Sequence, residues 1–334
     1  MRIAFLGTPE ITLPLLEACA RAGDLVAVIA QPDRPAGRHA ALQAPPSKRW
    51  ALERKIPVLQ PEKVKQGRLA ALLEGYAPDV AVVAAYGRIL PADALRAPRL
   101  GCVNVHASLL PLLRGAAPAQ WAIARGYSET GVTLIRMDEG LDTGDILLQR
   151  SLAIAPDETA GTLLTRLGAL GALMLPELLS GLELLPRVPQ DHSRATLAPI
   201  LSREDGKVDW TRSAFELDAR RRGFTPWPGA WTTASGAVLK IHDARPLPDN
   251  RSRPFPADHL RPLPDNDLRP LPDNHLRPLP ADAAPGVLLG GGLVACGGGT
   301  AWELREVQPE GRKRMSASAW LQGARLNAGD RLGS

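Results

Sequence analysis

Arg2-Ile-Ala-Phe-Leu6 is a short unbroken apolar run, and Gly7-Thr8-Pro9 closes it. A run of this length bounded by turn residues reads as a buried strand. The stretch from about Ile11 to Ala22 reads as a helix, and Leu25 to Ala30 as a second strand. Strand, turn, helix and strand in that order argue for a parallel, Rossmann-like sheet. Only one glycine marks the first turn, so the Gly-x-Gly-x-x-Gly dinucleotide fingerprint is absent and neither NAD nor FAD is expected.

Working outward, the alternation continues. Helices are expected over about 47–55, 63–73, 117–125 and 159–182, and strands over about 80–84, 100–105, 130–137 and 146–150. In an open α/β sheet, ligands bind beyond the carboxyl ends of the strands. The loops reaching that edge are Gln31–Pro46, Tyr86–Pro91, the residues after Val105, and Asp138–Asp145. The third follows the strand in Gly101-Cys-Val-Asn-Val-His-Ala-Ser-Leu-Leu-Pro111. Asn104 and His106 are two residues apart there, which on a strand puts both side chains on one face. An amide can donate to a carbonyl oxygen as it gains negative charge, and an imidazole can donate or move protons, so the pair fits acyl transfer. A polar strand end that merely caps backbone groups fits the same spacing. Cys102 shares that parity, so it either joins the core or lines the site. The acidic loop Asp138-Glu-Gly-Leu-Asp-Thr-Gly-Asp145 lacks the spacing and terminal Glu of a calcium loop and suits aiming one carboxylate inward; no metal is expected.

From Gly206 the texture changes to short strands (208–210, 231–233, 238–241, 286–289, 293–295 and 302–307), which suggests a small, OB-like β-barrel. The expected domains are therefore 1–190, a linker over 191–205, and a barrel over 206–334. The barrel is interrupted over 245–284 by a repeat with an eight-residue period, Arg-Pro-Leu-Pro-Asp-Asn from Arg245, Arg261 and Arg269, with variants from Arg253 and Arg277. Its alternating prolines predict a disordered or polyproline-II excursion that cannot pair in a ladder. Residues 1–205 hold 22 Lys/Arg against 21 Asp/Glu, and the remainder 18 against 14, so the basic excess sits in the C-terminal part. That bias permits an anionic partner such as RNA. Three dispersed cysteines offer neither a disulfide framework nor a metal pair and point to a reducing compartment. The apolar start is too short for a signal peptide, and no uninterrupted apolar run reaches membrane-spanning length. A soluble, cytoplasmic, monomeric protein is expected.

The edge loops together resemble the methionyl-tRNA formyltransferase family. The matching text is Gly7-Thr-Pro, Gln-Pro-Asp-Arg-Pro-Ala-Gly-Arg (31–38), Ala-Tyr-Gly-Arg-Ile-Leu-Pro (85–91), Asn-Val-His-Ala-Ser-Leu-Leu-Pro (104–111), Arg-Gly-Ala-Ala-Pro (114–118) and Gly-Leu-Asp-Thr-Gly-Asp (140–145). Val-Asp-Trp (208–210), Pro-Trp-Pro (226–228) and Met315-Ser-Ala extend the likeness through all but the repeat. The resemblance implies transfer of a formyl group from 10-formyltetrahydrofolate to the α-amino group of methionyl initiator tRNA. It assigns catalysis to Asn104, His106 and Asp142. Folate would lie against Arg88, Ile89 and Leu90 and against Ser108, Leu109, Leu110 and Pro111; tRNA phosphates would meet Arg34, Arg38, Arg114, Arg312, Lys313 and Arg314. The chain departs from the family pattern in His39-Ala40-Ala41, where basic residues usually follow, in Leu112-Leu113 before Arg114, and in the repeat. The same Asn-His-Asp chemistry also serves formyltransferases acting on an amino-sugar nucleotide or glycinamide ribonucleotide. A non-catalytic RNA-binding protein on the same scaffold is the remaining alternative.

Overall fold

The computed structural model describes residues 1–36, 41–247 and 283–333. Arg38 and most of the repeat, residues 248–282, lie outside them. The chain divides into two compact units, residues 1–119, 129–154 and 162–200 in the first and residues 120–128, 155–161 and 201 onward in the second.

The strands up to residue 200 are β1 (Arg2–Leu6), β2 (Asp24–Ile29), β3 (Arg34–Ala36), β4 (Ala41–Gln43), β5 (Val58–Leu59), β6 (Val80–Val83), β7 (Cys102–His106), β8 (Arg114–Gly115), β9 (Glu129–Arg136), β10 (Ile146–Ala153) and β11 (Leu197–Ala198). The helices are α1 (Leu13–Ala22), α2 (Pro46–Glu53), α3 (Arg68–Tyr76), α4 (Ala92–Arg96), α5 (Pro118–Ala124) and α6 (Ala160–Gly181). Seven strands form one sheet in the order β10-β9-β7-β6-β1-β2-β5. It is parallel from β5 to β7; β9 pairs antiparallel with β7, and β10 antiparallel with β9. The mostly parallel sheet expected from the opening residues is present.

The central strands are apolar at successive positions because both faces are covered. One face presents Ala4, Leu6, Ala27, Ile29, Ala81, Val83 and Cys102 to Leu69 and Leu73 of α3 and Ala94 and Leu95 of α4. On the other face α6 approaches closely at Gly171. A Cβ there would stand 3.0 Å from Val105 Cγ1 and 3.1 Å from Leu15 Cδ2 of α1. By length and composition α6 could cross a membrane, although Arg166 and Glu177 interrupt its apolar run. Its Leu163, Leu167, Met174, Leu175, Leu178 and Leu179 are instead buried in the protein. Residues 63–73 were expected to be helical throughout, but α3 starts only at Arg68. Gln66 and Gly67 both take positive φ, which breaks a right-handed helix, and Gly67 N donates to Asp93 Oδ2 at 2.9 Å.

In the second unit, β12 (Ala230–Ala234), β13 (Ala237–Leu247), β14 (Leu288–Gly290), β15 (Leu293–Ala295), β16 (Ala301–Pro309) and β17 (Met315–Ser316) form an antiparallel sheet, with α7 (Ala214–Gly223) and α8 (Ala317–Ala324) beside it. Its order is β12-β13-β16-β15-β14, and β17 pairs with β16. Trp210 and Trp302 meet edge to face in its core, their centroids 6.0 Å apart. Residues 208–210, expected as a strand, are not one; the single bridge, Lys207–Trp231, falls just before them. Val208 N donates to Trp231 O at 2.8 Å, and the indole adds a side-chain anchor, Trp210 Nε1 donating to Thr232 Oγ1 at 3.1 Å. The helix α7 opens on a capping box formed by Ser213 and Glu216.

The repeat does not begin as an excursion. Arg245, Pro246 and Leu247, its first three residues, belong to β13 and pair with Glu303, Trp302 and Ala301 of β16. β12 pairs only with residues 237–241, so among the described residues the opposite side of β13 beyond Ile241 is an edge, where a proline is tolerated.

Candidate active site

β7 emerges between β6 and β9, with Asn104 level with Val83 on one side and Ile135 on the other, and His106 level with Thr133. The pleat sends Cys102, Asn104 and His106 to one face. Cys102, deepest of the three, is a core residue with its Sγ 3.7 Å from Ala94 O, and burial pushes its thiol up to about 12. It contributes packing, and the two polar residues beyond it reach the carboxyl edge.

There they meet Asp142. Asn104 Nδ2 donates to Asp142 Oδ1 at 3.1 Å, Gly115 N donates to Oδ2 at 2.8 Å, and His106 Nδ1 lies 3.6 Å from Oδ2. His106 Nε2 is 3.0 Å from Leu113 O, which can only accept, so Nε2 carries a hydrogen. Nδ1 is then the ring nitrogen that faces the Asp142 carboxylate. Asn104 spends one amide hydrogen on Asp142 and keeps the other. His106 is 5% exposed and the Asp142 side chain 13%, so these interactions act largely out of water.

The acidic loop reaches this position through a tight fold. Asp142 itself has φ +52°, a left-handed conformation that aspartate tolerates better than most residues. At Gly144 an added Cβ would stand 1.7 Å from Arg136 O, so no side chain fits there. Asp138 is turned outward, its Oδ1 accepting from Gly140 N at 3.1 Å and Thr143 Oγ1 at 2.7 Å. Among the described residues no group of three or more His, Cys, Asp or Glu could hold a metal ion.

Two residues that sequence reasoning did not place in the site complete it. Gln190 Nε2 donates to Asp142 O at 2.9 Å and Gly144 O at 2.7 Å. Arg114 Nη2 and Nε donate to Gln190 Oε1 at 2.6 and 3.1 Å, and Nη2 also contacts His192 Nδ1 at 3.1 Å. Arg114, expected as a phosphate contact, is 7% exposed, with its guanidinium turned inward to Gln190. No local motif could have announced Gln190, which stands 48 residues from Asp142 in the chain.

The residues expected to hold folate divide by exposure. Ser108 Oγ donates to Leu112 O at 2.6 Å, Thr133 Oγ1 donates to Ser108 O at 2.6 Å, and Gln149 Nε2 donates to Leu110 O at 2.9 Å. Ser108, Leu90 and Leu110 are buried, so they stiffen the loops instead of facing outward. Leu109 and Pro111 are half-buried, and Ile89 is 78% exposed. Arg88 is pinned, its Nε donating to Gln31 Oε1 at 3.0 Å and its Nη1 to Glu62 O at 2.6 Å. Leu141, beside Asp142, is a further exposed apolar side chain.

Of the expected tRNA contacts, Arg34 is exposed on β3 in the first unit. Arg312, Lys313 and Arg314 are exposed in the β16–β17 turn of the second, where Gln308 Nε2 donates to Arg312 O at 2.9 Å. Arg314 lies 3.8 Å from Glu306. The triplet Arg220–Arg222 on α7 is not a free basic patch. Arg221 and Arg222 both pair with Asp218 at 2.8 Å, and Arg220 lies over Trp121 and Phe224, where burial lowers its pKa.

A mostly parallel sheet whose carboxyl edge brings an amide, an imidazole and a carboxylate together carries the groups that acyl transfer uses. Residues 1–179 match the Formyl transferase family, and residues 200–325 match Formyl transferase, C-terminal domain. A methionyl-tRNA formyltransferase of Anaeromyxobacter dehalogenans is 52% identical over 328 residues, covering 97% of both chains. The methionyl-tRNA formyltransferase structure from Clostridium thermocellum superposes with a TM-score of 0.53 at 19% identity, covering 73% of this chain and 93% of its own. HypX from Aquifex aeolicus in complex with tetrahydrofolic acid gives 0.53 at 17% identity, over 98% of this chain and 48% of its own. The chain belongs to the methionyl-tRNA formyltransferase family.

Proposed function

We propose that this protein transfers the formyl group of 10-formyltetrahydrofolate to the α-amino group of methionyl initiator tRNA in the cytoplasm, for the start of translation. The convergence of Asn104 and His106 on Asp142 carries the chemistry of this reading. The relative 52% identical over 97% of the chain favours the tRNA acceptor over an amino-sugar nucleotide or glycinamide ribonucleotide.

The amine attacks as the neutral species, and an α-amine with a pKa near ~8 supplies a usable neutral fraction. Attack on the formyl carbon builds negative charge on its oxygen and positive charge on the nitrogen. The second amide hydrogen of Asn104 donates to that oxygen. The nitrogen's proton passes to the Asp142–His106 pair, directly or through water, and the pair returns a proton to the departing folate nitrogen. No bond to the enzyme forms. Ile89, Leu109 and Pro111 offer the exposed or half-exposed apolar surface that a folate ring system needs. Arg34, Arg38 and the 312–314 turn neutralise tRNA phosphates.

The test offers 10-formyltetrahydrofolate with charged initiator tRNA and, separately, with an amino-sugar nucleotide. Formylmethionyl-tRNA as the product is expected. Formylation of the sugar nucleotide alone would overturn the assignment.

A further inference from the structure

Gln190 is used completely. Its two amide hydrogens go to the carbonyls of Asp142 and Gly144, on either side of Thr143, and its oxygen takes two hydrogens from Arg114. Turning the amide over would set its oxygen against two carbonyl oxygens and its NH2 against a guanidinium. Arg114 therefore fixes which way the amide faces. Both side chains are buried, at 7% and 6% exposure, and among the described residues no carboxylate pairs with Arg114. A buried cation without an acid is costly, and here its hydrogen bonds lead to the loop that presents Asp142.

The same backbone stretch holds the rest of the site. Leu113 O takes His106 Nε2, Arg114 orients Gln190, and Gly115 N holds Asp142 Oδ2. These residues are themselves tied to the segment 196–198, Leu113 N donating to Thr196 Oγ1 at 2.8 Å and β8 pairing with β11. Three consecutive residues thus set the spacing of the imidazole and the carboxylate.

We propose that Gln190 and Arg114 are positioning residues for the reaction, clamping the Gly140–Asp145 loop so that the Asp142 carboxylate stays in line with Asn104 and His106. The inference rests on the reading of Asp142 as the proton-accepting carboxylate. Neither residue touches the substrate; both act through the loop.

The decisive variant is Gln190→Glu. A carboxylate there keeps and strengthens the pairing with Arg114 but sets oxygens against the carbonyls of Asp142 and Gly144, so the fold is anchored and the loop released. The expected result is an unchanged melting temperature, an unchanged KM for the tRNA and a kcat lower by about 10²-fold, the order that a misplacement of about 1 Å costs. Arg114→Lys, which keeps the charge but not the fork, should recover part of the loss seen in Arg114→Ala. Should Gln190→Glu fail to fold, the double variant Arg114→Met/Gln190→Met removes both polar partners together and is read in the same way. A wild-type kcat in whichever variant folds overturns the proposal. So does a raised KM with a shallower salt dependence in Arg114→Ala, which would return Arg114 to phosphate binding. Asp142→Asn in the same assay separates the two claims: an active Asp142→Asn sinks the reading of the site, whereas an inactive one beside a fully active Gln190→Glu sinks only the clamp.

Discussion

Asn104 Nδ2 donates to Asp142 Oδ1 at 3.1 Å, so the amide proposed to meet the formyl oxygen and the carboxylate proposed to take the amine's proton are held by each other. Removing either one also disturbs the other. Asn104→Ala should therefore lower kcat by about 10²–10³, the range for one lost oxyanion donor, while leaving the fold intact. Turnover and melting temperature measured together check this; a near-normal kcat would remove Asn104 from the mechanism.

The turn that presents Asp142 depends on a residue with no side chain. Gly144→Ala would place a Cβ 1.7 Å from the Arg136 carbonyl oxygen, and Arg136 N already donates to Asp145 O at 2.9 Å, so backbone must move on both sides. Overpacking of this kind costs about 1–3 kcal/mol. Thermal unfolding should show that loss, and turnover should fall with it because the displaced backbone carries Asp142.

The basic turn between β16 and β17 makes a different prediction. Replacing Arg312, Lys313 and Arg314 together by Ala should raise KM for the tRNA, leave kcat unchanged and flatten the salt dependence of binding, the slope falling by up to about 0.9 for each phosphate no longer neutralised. Binding measured across a range of salt concentrations checks it. An unchanged slope would mean that these three charges are ordinary surface cations.

The repeat gives a fourth prediction, now with sharper limits. Arg245, Pro246 and Leu247 are paired in β13, so a deletion starting at Arg245 removes ladder partners of Glu303, Trp302 and Ala301. Replacing only residues 248–282 by a short flexible linker should leave turnover and melting temperature largely unchanged. A deletion of 245–284 should be less stable than the narrower one, as differential scanning calorimetry would record.

Burial raises the pKa of all three cysteine thiols, those of Cys102 and Cys296 to about 12. At pH 8 the reactive thiolate is therefore scarce as well as inaccessible. Thiol reagents should label the native protein negligibly at that pH and label three sites in denaturant. Rapid labelling of one native thiol would contradict its placement in the core.

Much of the fold could be read because it rests on local patterns. Apolar runs at 2–6, 25–30 and 80–84 alternate with helices, and only a parallel sheet buried on both faces accommodates that order. The pair Asn104 and His106 was equally legible, since strand parity alone puts them together. Three features escaped for a physical reason. Gln190 is joined to Asp142 by tertiary hydrogen bonds alone, and nothing nearby in the chain marks it. Arg114 reads as a surface cation until its burial is known. Val208–Trp210 has the composition of a strand, but Trp210 anchors it through the indole to Thr232, and the single backbone bridge falls just before it, at Lys207. Pro246 shows the converse error, because a proline excluded from the middle of a sheet is admitted at an open edge.

The central claim is that Asp142, held between Asn104 and His106, accepts the proton of the attacking amine. Single-turnover formyl transfer from 10-formyltetrahydrofolate to methionyl initiator tRNA by Asp142→Asn, beside the unaltered protein, tests it most directly. Asparagine keeps one acceptor oxygen, enough for the bond from Asn104 or from Gly115 but not for both, and it cannot hold the proton. The account therefore predicts a folded protein, bound tRNA and transfer slowed by about 10² or more, the lower range for a lost acid–base group. Transfer at the unaltered protein's rate would contradict it.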